Sequence, residues 1–200
     1  MDDKNILKTG TTTIGFVISE GVILATDKRA SMGYYIASKN VNKIAKIDDH
    51  IGMTIAGSVG DAQFLIRHLQ NVSRMYRVDN EKAIPVKSLV NYLSNILFYY
   101  RYYSPFLIQL IIGGYDSEPR LFNVDMAGGV TEEKYTATGS GTTFAISVLE
   151  NEYSYDLSLD EAVKLAEKAI RTAMERDMGS GEGVNVAFIS KDREFKWIKV

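Results

Sequence analysis

Two hundred residues, 46% of them hydrophobic and 24% charged, suffice for one globular domain with a core of two or more layers. A formal net charge of −2 gives no electrostatic case for nucleic acid or an anionic membrane, and no stretch approaches the roughly 18 apolar residues of a membrane span. The absence of cysteine excludes disulfides, thiolate metal sites and cysteine nucleophiles; residues 1–10 lack the apolar core of a secretory signal, so a cytoplasmic location is expected.

The first run of interest is Gly10-Thr11-Thr12-Thr13. Cutting after Gly10 would leave a threonine that carries a hydroxyl and a free α-amine together, a nucleophile and a proton carrier in one residue. A terminal amine has an ordinary pKa of roughly 7.7–8.0, well placed for proton transfer near neutrality. By residue type alone, the same threonines simply open a strand.

Residues 12–19 and 22–27 are β-rich, with Glu20-Gly21 as a hairpin turn; 51–57 reads as a further strand, and 34–47 holds two short ones. Ala62, Leu65, Ile66, Leu69, Val72, Met75 and Tyr76 recur at helical spacing from Val59 onward. Val86, Leu89, Val90, Leu93, Ile96 and Leu97 repeat the pattern after Pro85. An apolar run over 107–112 ends in Gly113-Gly114, and strands are expected over 120–125 and 134–138. Ser158 with Glu161 forms a capping box for a helix through about Arg176, which buries Ala162, Leu165, Ala166, Ala169, Ile170 and Ala173. Strands over 184–189 and 195–198 follow. This order predicts an α/β (α+β) chain of two packed antiparallel sheets with helices on their outer faces, rather than a parallel βαβ array.

Chemistry must come from few groups. His50, in an Asp48-Asp49-His50 turn, and His68, on a helix, read as solvated surface residues, so a metal site or a serine triad is disfavoured and no cofactor is expected. Asp27-Lys28-Arg29 follows directly on an apolar strand, and Lys43 lies between Val41 and Ile44. A carboxylate beside a desolvated lysine makes a tunable proton shuttle, although residue type alone equally gives a surface lysine. Gly57 joins a strand to a helix, where backbone N–H groups can face an oxyanion. Gly139-Ser140-Gly141 and Gly179-Ser180-Gly181 are small loops able to bring hydroxyls to a reacting centre, and neither has the spacing of a phosphate loop.

Read in order, Gly10-Thr11-Thr12-Thr13, Asp27-Lys28-Arg29, Lys43, Ile55-Ala56-Gly57 with Gly60-Asp61, Gly139-Ser140-Gly141 and Arg176-Asp177 with Ser180 resemble a proteasome β subunit of the archaeal type, within the N-terminal nucleophile hydrolases. The resemblance spans essentially the whole chain and implies a four-layer αββα sandwich. It implies that Thr11 is the nucleophile and that Lys43, held by Asp27, eases removal of its proton. Asp177, Ser140 and Ser180 would position the α-amine, with Gly57 as oxyanion donor and Arg29 in support. Whether Lys43 or the amine is the immediate base stays open at this point.

Residues 1–10 would then be a propeptide removed by self-cleavage at Gly10–Thr11, leaving 11–200 as a single peptidase domain. Ala30, Ser31, Val41, Ala45, Ile55, Gly57 and Val59 match the family's substrate pocket, and their small or apolar character implies cleavage after hydrophobic residues. The implied partners are other β subunits in heptameric rings, α-type rings, an ATP-driven unfoldase and unfolded polypeptides. A still-capped structural subunit beside an active paralogue is the alternative, and the related bacterial ATP-dependent peptidase a third reading.

Overall fold

The computed structural model describes residues 10–200. A first hairpin joins β1 (Thr12–Ile18) to β2 (Gly21–Asp27), with every residue of both strands buried, as in a sheet covered on both faces. Next come the two-stranded ribbon of β3 (Ala30–Met32) and β4 (Tyr35–Ser38), the hairpin of β5 (Ile44–Asp48) and β6 (Ile51–Gly57), and two helices, α1 (Val59–Asn80) and α2 (Val86–Tyr100). The chain continues through β7 (Ile108–Tyr115), β8 (Pro119–Val124), β9 (Val130–Glu132) and β10 (Tyr135–Gly139), then α3 (Thr142–Glu152) and α4 (Leu159–Met174), and closes with β11 (Val184–Ser190) and β12 (Phe195–Ile198).

One five-stranded sheet has the order β10-β1-β2-β11-β12 and the other β5-β6-β7-β8-β9, each antiparallel throughout. Three apolar cores separate four layers. Ala145 and Leu149 of α3 and the alanine-rich face of α4 pack on Ile14, Phe16, Ile23 and Val186 of the first sheet. Leu65, Leu69, Leu89 and Leu93 of α1 and α2 pack on Met53, Leu110 and Phe122 of the second. Between the sheets Val17, Val22, Leu24 and Ile189 meet Ile44, Ile111 and Leu121. This is the four-layer αββα sandwich that the resemblance implies, and it agrees with the two packed sheets and outer helices expected from the order of elements. Among the described residues no helix is long and apolar enough to cross a membrane.

Several details differ from the sequence reading. α3 lacks a side-chain cap and begins with Thr142, Thr143 and Phe144, residues that favour strands, so its helical identity is tertiary in origin. β3 and β9, three residues each, are too short to show a period. β7 runs through Gly113-Gly114 because these glycines make room rather than break the strand. A Cβ on Gly113 would lie 2.7 Å from Val22, and one on Gly114 equally close to Val86. His50 is buried, not solvated: its Nε2–H donates to the Ile84 carbonyl at 2.8 Å, so its ring tethers the β5–β6 turn to the segment before α2. Met75 of α1 is exposed and Ser73 takes a buried position instead.

Pro85 precedes α2 and offers no side-chain cap; the carboxylate of Asp116, from the β7–β8 turn, accepts from the Val86 amide at 3.1 Å. Burial opposes ionisation of Asp116, but the Ser117 and Val86 amides and Arg120 outweigh it and hold the carboxyl below its ordinary 3.8. Asp116→Ala is therefore expected to destabilise the chain by about 0.5–2 kcal/mol, the usual worth of a helix cap. Thermal melts should show the deficit above pH 3.8. It should shrink as acid protonates Asp116 through its depressed pKa, because a lowered carboxyl contributes stability only while it is ionised.

Candidate active site

Thr11 immediately precedes β1, at the end where the two sheets open toward β3 and the N-terminus of α1. Its side chain is buried and meets groups from both sheets. Asp27 ends β2, the neighbour of β1, and its Oδ1 lies 3.0 Å from Thr11 Oγ1 and accepts from the Thr12 amide at 3.0 Å. Oδ2 of the same carboxylate accepts from the amides of Arg29 at 3.0 Å and Gly181 at 2.9 Å. A fully buried carboxylate is tolerated because its lone pairs are thus occupied.

Lys43 arrives from the other sheet. Its carbonyl accepts from the Ile55 amide at 2.9 Å, which fastens it to β6, and its ammonium contacts both Thr11 Oγ1 and Asp27 Oδ1, the latter at 2.6 Å. Burial pushes the Lys43 amine below its ordinary 10.5. Asp27 and Asp177 oppose the shift and Arg29 adds to it, and burial prevails. A lysine so placed can release its proton and take one from the hydroxyl beside it.

On the far side of Thr11 a second polar chain begins. The Thr11 amide donates to Ser140 Oγ at 3.1 Å, and Ser140 Oγ donates to Asp177 Oδ2 at 2.7 Å. Ser180 also hydrogen-bonds Asp177 and lies 2.7 Å from Thr12 Oγ1. Arg29 braces this loop: its guanidinium donates to the Met178 carbonyl at 3.0 Å and to Glu182 at 3.1 Å. Gly10 and Gly179 pack backbone to backbone, since a Cβ on Gly10 would fall 2.1 Å from Gly179 Cα and one on Gly179 would fall 2.3 Å from Gly10 Cα. The Gly10 amide donates to Ser31 Oγ at 2.9 Å.

Thr11 and Lys43 open onto a cavity of about 430 Å³, lined mainly by apolar atoms. All seven residues expected in the pocket line it: Ala30, Ser31, Val41, Ala45, Ile55, Gly57 and Val59. Gly57 has φ +118°, and a Cβ there would lie 2.2 Å from the Leu107 carbonyl, so only glycine fits this bend between β6 and α1.

Residues 7–189 match the family model described as "Proteasome subunit". Among similar proteins, "Proteasome subunit beta" of Methanocaldococcus vulcanius is 54% identical over 186 residues, covering 92% of this chain and 83% of that one. "Proteasome subunit beta 1" of Pyrobaculum calidifontis is 50% identical, covering 93% of each chain, and "Proteasome subunit beta 2" of Hyperthermus butylicus is 47% identical, covering 94% and 89%. The chain belongs to the proteasome subunit family.

Proteasome β subunits form a peptidase family and assemble with other subunits into the proteasome core, so this chain is a core protease subunit of the archaeal type. The structure gathers Thr11, Asp27, Lys43, Ser140, Asp177 and Ser180 around one backbone position, with Arg29 behind them and Gly57 on the cavity wall. The residues before Gly10 in the expected propeptide lie outside the described residues. The sequence reading did not single out Gln63, which lines the cavity beside Val59, Ala62 and Ile66. Positions 59, 62, 63 and 66 share one face of a helix, and that spacing was the available signal. The sequence reading placed Gly179 in a small loop but not against Gly10, since that fit depends on a contact between segments far apart in sequence.

Proposed function

We propose that this chain is an active threonine endopeptidase subunit that frees its own nucleophile by cutting Gly10–Thr11. The observation that carries the reading is the position of the Thr11 hydroxyl, held between the Asp27 carboxylate and a buried Lys43 amine at the mouth of an apolar cavity.

In self-cleavage the Thr11 nitrogen is still an amide and cannot accept a proton. Lys43, in its neutral form, takes the Oγ proton as Oγ attacks the Gly10 carbonyl carbon. The C–N bond breaks, the departing nitrogen gains a proton and becomes the α-amine, and Gly10 is left esterified to Oγ. Water then hydrolyses the ester, releasing residues 1–10 with a new carboxylate and restoring the hydroxyl. Ser140, already bonded to the Thr11 nitrogen, would retain it as an amine, with Asp177 and Ser180 behind it.

In turnover the same oxygen attacks a substrate carbonyl, with the proton passing to Lys43 or the new amine and on to the leaving nitrogen. The Gly57 N–H would steady the oxyanion; one such donor is commonly worth about 2.7–4 kcal/mol of transition-state stabilisation. The subunit is proposed to work in heptameric β rings between α-type rings, in the cytoplasm, on unfolded polypeptides delivered by an ATP-driven unfoldase.

The test is the intact mass of the chain after assembly with its α-type partner, combined with peptide hydrolysis. Loss of residues 1–10 with hydrolysis is expected; a full-length mass and an inert particle would make this a capped structural subunit. Within a peptide series, replacing an apolar residue before the scissile bond by Lys or Glu is expected to lower kcat/KM roughly 10- to 100-fold, the cost of desolvating a charge in a cavity lined mainly by apolar atoms. Equal rates across the series would refute the proposed preference.

A further inference from the structure

The layer between the sheets changes character along its length. Away from the site it is apolar. At the site end a polar row crosses the first sheet: Thr138 of β10 pairs with Thr13 of β1, Thr13 with Thr26 of β2, and Thr26 with Asn185 of β11. Partners in antiparallel register share a face, and Thr13 alternates in phase with Val17, so this face is the one turned toward the second sheet. There it meets Thr54 of β6. Thr13 Oγ1 lies 2.7 Å from Thr138 Oγ1 and 3.0 Å from Thr54 Oγ1, and Thr54 Oγ1 accepts from the Ile111 amide at 3.3 Å. Thr13 and Thr54 have no solvent exposure and Thr138 almost none.

Stability does not call for hydroxyls here. Valine has nearly the same shape, and replacing buried polar partners by apolar groups of that shape is often close to neutral. A hydroxyl bridge adds a fixed separation and direction between two layers that apolar contacts would let slide. Its neighbours show what that separation sets. Thr13 is two residues from Thr11, Thr26 precedes Asp27, and Thr138 is two residues from Ser140. On the opposite sheet, Thr54 is followed by Ile55, whose amide holds the Lys43 carbonyl, and then by Gly57. The first sheet thus carries the nucleophile, its carboxylate and the amine-positioning serine. The second carries Lys43 and the oxyanion glycine.

We infer that Thr13, with Thr54 and Thr138, is a positioning residue: its hydroxyl bridge fixes the distance between the nucleophile-bearing sheet and the sheet that carries Lys43 and Gly57. This rests on Thr11 being the nucleophile. Reactions of this kind tolerate little displacement, and a misplacement of about 1 Å can cost on the order of 100-fold in rate.

The experiment compares assembled core particles carrying Thr13→Val, Thr13→Ser or Thr11→Ala in steady-state hydrolysis of one peptide with an apolar residue before the cut. For Thr13→Val the expected result is a kcat lower by on the order of 10- to 100-fold with KM unchanged, because the cavity is intact and only reacting geometry has moved. Thr13→Ser, which keeps the bridging oxygen, should recover most of kcat. Wild-type kcat in Thr13→Val, beside an inert Thr11→Ala, would overturn the inference and leave the nucleophile assignment standing. Equal losses in Thr13→Val and Thr13→Ser would also overturn it, since the retained oxygen of the serine would then not restore the rate. Hydrolysis by Thr11→Ala would remove the reading beneath it. Should Thr13→Val not assemble, Thr54→Val applies the same test from the opposite sheet; failure of both to assemble would make the bridge a folding element and refute the positioning role.

Discussion

Thr11→Ala is expected to stop both self-cleavage and peptide hydrolysis while leaving the subunit folded. The substitution deletes Oγ, the atom shared by Lys43 and Asp27, and no other hydroxyl stands in its place. Ser140 and Ser180 point their hydroxyls at Asp177, and Thr12 Oγ1 is engaged with Ser180. Removing a member of such a catalytic unit commonly costs about 10⁴- to 10⁶-fold in kcat. The fold should tolerate the change because Asp27 keeps its bonds from the Thr12, Arg29 and Gly181 amides and its 2.6 Å pairing with Lys43. Intact mass would therefore read full length in an assembled particle, with no release of product from peptide. A threonine rather than a serine also fits the site: a Cβ on Gly139 would lie 2.7 Å from Thr11 Cγ2, so the methyl group packs closely there, and β-branching narrows the rotamers open to Oγ. Peptide hydrolysis surviving in the alanine variant would place the nucleophile elsewhere.

The longer strands and most helices were legible because their composition or period is strong. The β-rich runs of β1 and β2 follow from composition and the alanine-rich face of α4 from local spacing, and the α4 capping box is present in full at Ser158 and Glu161. What resisted reading depends on partners far along the chain. Gly113 and Gly114 look like breakers until Val22 and Val86 are seen pressing against them. His50 looks solvated until Ile84 supplies its acceptor. α3 is a helix built from strand-favouring residues, held by Ala145 and Leu149 in the first core. The site divides the same way. Threonines after a glycine and an acid at a strand end are visible as sequence, but the contact of Lys43 with Thr11 joins residues from different sheets, and nothing in local pattern separates it from a surface lysine. The family resemblance supplied that pairing, and the Thr13–Thr54–Thr138 bridge, carried by no recognisable motif, came only from the fold.

Lys43→Arg is expected to be as damaging as loss of the nucleophile, and it isolates the proton from the charge. Arginine preserves a cation beside Asp27, so the buried carboxylate is not left without a partner, but it does not deprotonate in proteins. If Lys43 must become neutral to accept the Thr11 proton, both self-cleavage and turnover should fall by about 10⁴-fold or more. The pH dependence follows from the direction of the shift. Burial favours the neutral amine, so the active fraction grows as pH rises, and the rising limb lies below the ordinary lysine value of 10.5. Self-cleavage is the cleaner reporter, because its Thr11 nitrogen is an amide and contributes no titration, whereas turnover adds an α-amine with an ordinary pKa of about 7.7–8.0. The rate of self-cleavage, followed by intact mass across a pH series, should therefore show one limb that belongs to Lys43, and the arginine variant should lack it. A Lys43→Arg chain that still loses residues 1–10 with a rising pH profile would assign the proton to another base.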